Sequence, residues 1–179
     1  HAAAVEATGD RAAAMTVATA TPDGRPSARV VLLRGFDARG FVFYTNYESR
    51  KGGELAENSA IAAVLYWPQL DAQIRIEGTA QRVSRDESAT YFSHRPRGHQ
   101  LGAWASHQSR PIPDRATLEA QLAAAEAEYP GEVPLPPYWG GYRITPTRME
   151  FWKSGADRVH DRVTYTRVGD AWTIQRLSP

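Results

Sequence analysis

Several short stretches of this chain gather cations and hydrogen-bond donors at spacings that suit anions. The densest is Arg29-Val30-Val31-Leu32-Leu33-Arg34. On an extended strand Arg29 and Val31 share one face and Arg34 falls on the other. Such a segment either clamps two anions or is a solvated strand with charged ends. Tyr44-Thr45-Asn46 then leads to Ser49-Arg50-Lys51, where a hydroxyl and two cations open an expected helix. Free backbone N–H groups and the positive end of the helix dipole suit phosphate there. Helix stability favours acids in the first turn, so cations in that place argue for a ligand. The competing reading is an exposed basic turn.

Three further groups belong beside these. Gln108-Ser109-Arg110 is a donor-rich loop, and Gln73 interrupts a strand otherwise apolar on its face. A polar residue satisfied within the fold is the ordinary explanation for either. Tyr91, Arg95 and His99 recur every fourth residue, although Pro96 breaks the helix that would align them. They offer a second anion site, or a helix end with a surface arginine. In Arg158-Val159-His160-Asp161-Arg162 the three basic groups face one way and Asp161 the other. Adjacent cations repel unless an anion or an electron-rich ligand lies over them; a salt-bridged strand surface is the alternative.

Other chemistries lack their signatures. No GxGxxG, P-loop, GxSxG elbow or HExxH is present. The five histidines, at positions 1, 94, 99, 107 and 160, show no zinc spacing, so no metal is expected. No carboxylate pair suggests hydrolysis. With no cysteine, disulfides, thiolate metal sites and a cysteine nucleophile are excluded. What remains is a set of basic patches without a nucleophile, which suits a phosphorylated cofactor that does the chemistry itself.

The elements that must position these groups are mostly strands. Met15–Ala20 and Ala28–Leu33 read as a hairpin around Asp23-Gly24, and Phe41–Thr45 follows after Ala38-Arg39-Gly40. Three strands joined by short turns favour an antiparallel meander. Ser49 caps a short helix through Asn58; Ile61–Trp67 and Ala72–Val83 are strands. Ser84 with Glu87 is a capping box opening a helix to about His94, and residues 98–106 suggest another. Asp114 caps the longest helix, Arg115–Tyr129. Strands at Gly141–Ile144, Arg148–Lys153, Val163–Arg167 and Trp172–Leu177 close the chain. The class is mainly β with inserted helices, and antiparallel strands of this kind close into a small barrel to remove edges.

The 179 residues make one ordinary domain, with residues 1–13 as an Ala-rich helix end or loose arm. A start at His1 suggests that something upstream is missing. A net charge of +1 argues against a nucleic-acid partner held by bulk charge. No apolar run approaches the ~18 residues of a membrane span. No signal peptide is visible, so a cytoplasmic location is expected.

Along Met15 to Pro179 the chain resembles pyridoxamine 5′-phosphate oxidases. The matching stretches are GRPSARVVLLRGF, FVFYTNYESRKGGELAEN, QIRIEGTAQRVS, YFSHRPRGHQLGAWASHQS, VPLPPYWGGYRITPTRMEFW and RVHDRVTYTR, in order and at matching spacing. The resemblance implies an FMN-binding split β-barrel that works as a homodimer, with FMN in a cleft between subunits. It implies FMN contacts at Arg29, Tyr44, Thr45, Arg50, Lys51, Gln73, Gln108, Ser109, Trp152 and Arg162. Of these, Arg29, Lys51 and Ser109 would meet the phosphate. It assigns the substrate phosphate to Arg34, Tyr91, Arg95 and His99, and places Arg158 and His160 over the flavin near the reacting carbon. The implied reaction oxidises pyridoxamine or pyridoxine 5′-phosphate to pyridoxal 5′-phosphate, with O2 as acceptor and H2O2 as product. Three departures bear on substrate affinity: the family usually has Lys where Arg34 stands and Ser where His99 stands, and its N-terminal arm, which helps cover the substrate, looks cut off before His1. A related split-barrel flavin oxidase of the phenazine-biosynthesis type, or a non-catalytic flavin- or pyridoxal-phosphate-binding module, are the alternatives.

Overall fold

The structure, a computed structural model, describes residues 1–179. Strands β1 (Ala14–Ala20) and β2 (Pro26–Leu32) form a hairpin, and β3 (Gly35–Asp37) and β4 (Gly40–Asn46) form a second. Helix α1 (Ala2–Thr8) precedes them and α2 (Arg50–Glu57) follows. Next come β5 (Ala60–Trp67), β6 (Ala72–Arg82), and helices α3 (Arg85–Ser93), α4 (Arg97–Ala105) and α5 (Arg115–Glu128). The long strand β7 (Trp139–Lys153) and the hairpin β8 (Asp161–Val168)–β9 (Ala171–Arg176) end the chain.

All pairings are antiparallel, in the order β2-β1-β5-β6-β7-β4-β3, with β8 added to β7 and β9 to β8. The two hairpins therefore lie at opposite ends of the path, which corrects the meander expected from their short turns. The sheet curls so that these ends meet again at Leu33-Arg34. There Leu33 N–H donates to Ala13 O (2.8 Å) and Arg34 N–H to Val42 O (2.8 Å). The result is an antiparallel split barrel, and its open side lies where β2 faces the end of β4.

Alternation explains the core. Met15 and Val17 on β1, Ile61, Ala63 and Leu65 on β5, and Ile76 on β6 all point inward and are buried. Phe43, Tyr142 and Ile144 meet them from β4 and β7. Ala4 and Ala12 are buried in the same core, and Trp67 Nε1–H donates to Ala12 O (3.0 Å). The first thirteen residues are thus packed onto the barrel and are not a loose arm. A smaller core under α3, α4 and α5 joins Phe92, Leu101, Ala105, Ala125 and Trp139.

Sequence suggested two strands flanking Pro146; one continuous β7 is found. Proline is tolerated at a bulge, because a ladder position there needs no N–H. The register of β6 against β7 shifts between Glu77 and Gly78, with Gly78 opposite Pro146. A Cβ at Gly78 would collide with the Thr145 carbonyl, so the kink requires glycine. Before the kink β7 pairs with β4; after it, with β8.

Candidate active site

A cleft of about 1230 Å3 opens on the split side. Its walls are β2, the end of β4, the first turn of α2, the end of α3, and α4 with the following loop. Eleven of the sixteen residues singled out from sequence line it: Arg29, Arg34, Tyr44, Thr45, Arg50 and Lys51 from the barrel, and Tyr91, Arg95, His99, Gln108 and Ser109 from the helical side.

Glu54, one turn into α2, organises the floor. Its carboxylate is buried and accepts Ser27 Oγ–H (2.6 Å), Thr19 Oγ1–H and Arg50 Nε–H (2.9 Å). Arg29 lies 3.5 Å away and donates to the same two hydroxyls, to Thr19 Oγ1 at 2.6 Å and also to Ser27 Oγ. Burial pushes the Glu54 pKa up, but the bonds from Ser27, Thr19 and Arg50 and the charge of Arg29 outweigh it and hold it at about 2. Glu54 stays ionised.

Lys51 has no such partner. Its buried ammonium donates to Thr45 Oγ1 (2.8 Å), Ser49 Oγ (3.0 Å) and Gln108 Oε1 (3.0 Å), all neutral oxygens. Desolvation, with the charge of Arg29, lowers its pKa to about 8. The helix start that places it is the one expected, with Ser49 Oγ accepting Gly52 N–H (3.3 Å). Ser109 sits next to Gln108 in a turn closed by Arg110 N–H to His107 O (3.0 Å). Its φ of 71° is left-handed, a conformation costing a non-glycine residue about 1–2 kcal/mol.

The opposite wall is aromatic. Tyr44 and Tyr91 stack at 3.8 Å between centroids, and Trp139 continues the nearly parallel array at 5.6 Å from Tyr44. The Arg95 guanidinium lies over the Trp139 ring at 4.6 Å. Its Nη1 is buried with no hydrogen-bond partner. Burial lowers the Arg95 pKa, and the charge of Arg34 adds to that effect. An orphaned cationic donor costs free energy unless an anion arrives. The Tyr44 phenol, pushed up to about 12 chiefly by burial, remains a donor.

The other five residues stand elsewhere. Gln73, Trp152 and Arg162 are cross-strand partners on β6, β7 and β8, forming one rung on one face of the sheet. The His160 ring lies 4.9 Å from the Trp152 ring. Arg162 is held by buried Glu150 (2.8 and 3.2 Å), whose pKa those bonds lower despite burial. His160 Nδ1 accepts Gly155 N–H (3.2 Å), which leaves the proton of a neutral ring on Nε2. Asp157 and Arg158 beside it have φ of 52° and 63°. Trp139 in the cleft and Trp152 on this rung are thirteen residues apart on β7, about 40 Å of strand. A single chain does not bring the two groups together.

Sequence reading missed Glu54 and Trp139. The i,i+4 spacing of Arg50 and Glu54 was a usable signal, since such pairs meet on a helix. Trp139 carried none, because its stacking partners are 95 and 48 residues away in sequence.

Residues 2–129 match the family described as pyridoxamine 5′-phosphate oxidase. Residues 139–179 match the family described as the pyridoxine 5′-phosphate oxidase C-terminal dimerisation region. The chain is 57% identical over 167 residues to a pyridoxine/pyridoxamine 5′-phosphate oxidase of Rubrobacter xylanophilus, covering 93% of this chain and 77% of that one. It is 55% identical over 166 residues to the enzyme of the same name from Paraburkholderia phymatum, covering 92% and 78%. PhzG from Burkholderia lata 383, solved with tetrahydrophenazine-1-carboxylic acid, superposes with a TM-score of 0.93 at 37% identity, covering 99% of this chain and 88% of that one. The chain belongs to the pyridoxamine 5′-phosphate oxidase family of oxidoreductases and carries that family's C-terminal dimerisation region.

Proposed function

We propose that the protein is an FMN-dependent oxidase that converts pyridoxamine 5′-phosphate and pyridoxine 5′-phosphate to pyridoxal 5′-phosphate. The observation that carries this is the charge of the cleft. Arg29, Arg34, Arg50, Lys51 and Arg95 line it, and Glu54 beneath them is the one carboxylate they contact. Four positive charges are left, which suits two phosphate dianions. The cations fall into two groups, Arg29, Arg50 and Lys51 on one side and Arg34 with Arg95 on the other. One group suits a cofactor phosphate and the other a substrate phosphate, with the Tyr44–Tyr91–Trp139 array beside them.

FMN, when bound, supplies the acceptor for the hydride from C4′ of the substrate. In this reading Arg29, Lys51 and Ser109 hold its phosphate, and Arg34, Tyr91, Arg95 and His99 hold that of the substrate. Thr45, Gln108 and Tyr44 fill the wall between. Gln73, Trp152 and Arg162, with Arg158 and His160, come from a second copy of the chain, so the working unit is a homodimer. His160 Nε2–H then donates to the substituent on C4′, and Arg158 steadies charge there as the C–H bond breaks. Two electrons and two protons leave the substrate; the amine gives aldehyde and ammonia after hydrolysis, the alcohol gives aldehyde directly. O2 takes the electrons and protons and leaves as H2O2. A cytoplasmic setting is part of the same proposal.

The similarity to PhzG supports a second reading, oxidation of a reduced phenazine carboxylic acid. A single carboxylate neutralises less of the cleft than a second dianion does. A peroxide assay on both substrate classes decides. Turnover of the vitamers and none of the dihydro-aromatic acid is expected; the reverse overturns the proposal.

A further inference from the structure

We propose that Glu54 is a positioning residue for the phosphate end of the flavin site, aiming Arg29 and Arg50 through a hydrogen-bond relay whose direction it sets. This rests on the reading of that end as a phosphate site. The relay follows from the donor inventory. Each of the Thr19 and Ser27 hydroxyls has one proton, and each gives it to Glu54 Oε2. Their lone pairs are thereby turned outward and receive both terminal nitrogens of Arg29. The other oxygen, Oε1, accepts Arg50 Nε–H, which leaves the terminal nitrogens of Arg50 free toward the cleft. One buried carboxylate thus fixes two arginines, one directly and one through two hydroxyls. Lys51, on the same helix, is left uncompensated.

Glu54→Gln keeps the shape and breaks the pattern whichever way the amide turns. With its oxygen toward the hydroxyls, its NH2 faces Arg50 Nε–H, donor against donor. With its NH2 toward the hydroxyls, they must reverse and point their protons at Arg29. Either way one arginine is released. The substitution also adds one positive charge to the cleft, so charge and positioning predict opposite signs.

The test is a fluorescence titration of ligand-free protein with FMN and with riboflavin, which lacks the phosphate, alongside thermal unfolding. Wild type is expected to bind FMN more tightly than riboflavin. Glu54→Gln is expected to lose FMN affinity by about tenfold or more, with riboflavin affinity unchanged within about twofold. Ser27→Ala, which removes one arm of the relay and keeps the carboxylate, is expected to lose FMN affinity several-fold and serves if Glu54→Gln does not fold. Equal or tighter FMN binding by the folded variants overturns the proposal. So does an equal loss for both flavins, which marks a support for the fold alone. If wild type itself does not discriminate FMN from riboflavin, the phosphate reading fails first and the proposal with it.

Discussion

Replacing Lys51 by methionine separates binding from stability. The ammonium is buried among three neutral oxygens, and its pKa falls from 10.5 to about 8. That drop corresponds to a penalty of about 3 kcal/mol on the charged form in the ligand-free protein. Methionine fills a similar volume without charge. The oxygens it abandons keep other partners: Ser49 Oγ donates to Asn46 O and accepts Gly52 N–H, and Thr45 Oγ1 donates to Gln108 Oε1. Three lost hydrogen bonds offset part of the relief, leaving a net gain of about 1–2 kcal/mol. In a chain of this size that raises the melting temperature by about 2–8 °C. On the proposed reading, in which Lys51 meets the cofactor phosphate, the same variant should bind FMN about 100-fold more weakly, about 2.7 kcal/mol. Thermal unfolding without ligand and a fluorescence titration with FMN read the two quantities. A melting temperature that falls in step with affinity would refute the reasoning and make Lys51 a structural residue.

The same lysine sets a pH dependence. Its folded pKa lies below its unfolded one, so its cost to ligand-free stability is full below pH 8 and fades as pH rises from about 8 to 10.5. If Lys51 holds the cofactor phosphate as proposed, binding draws on its protonated form, so FMN affinity should fall above about pH 8, and should not in Lys51→Met; calorimetric titrations across pH 6–10 check this. Glu54 has the opposite sign, its contribution being present above its ordinary range and lost as pH falls from about 4.5 toward 2, which acid unfolding of wild type against Glu54→Gln reads. Arg95→Leu should raise the KM for the phosphorylated substrate by about 100-fold while FMN affinity holds, because on the proposed reading it leaves Arg34 as the one arginine beside Tyr91 and His99 at the substrate phosphate; steady-state kinetics at saturating FMN would show a loss in kcat instead if Arg95 acts elsewhere. Arg158→Gly relieves a φ of 63° and should raise unfolding stability by about 1 kcal/mol while lowering turnover; lost stability would mean that the side chain braces the loop.

Local features were legible in the sequence, and long-range ones were not. Ser49, Ser84 and Asp114 cap the helices they were expected to cap, each accepting an N–H three residues on. Capping is decided within four residues, so a sequence window contains it. The sheet order is decided by which strands bury which faces, and no window holds that. The first hairpin was recognised; the short strand β3, its pairing with β4 and the place of that pair at the far end of the sheet were not. Gly141–Ile144 and Arg148–Lys153 read as two strands because only the bulge at Gly78 on another strand makes Pro146 tolerable within one. In the site the cations were visible by type and spacing. Their counter-ion was not singled out, because Glu54 reads as an ordinary helical acid until Thr19 and Ser27 are folded against it. Trp139 is a core residue whose ring also carries Arg95, a contact that only the fold creates.

The most direct test of the central claim is the visible spectrum of the protein loaded with FMN, recorded anaerobically before and after pyridoxine 5′-phosphate and again after air. Bleaching of the flavin by substrate and full recovery with oxygen is the expected result. A bound flavin that the vitamer leaves oxidised, while a reduced phenazine carboxylic acid bleaches it, would contradict the assignment; a protein that takes up no flavin would contradict the account of the cleft as well.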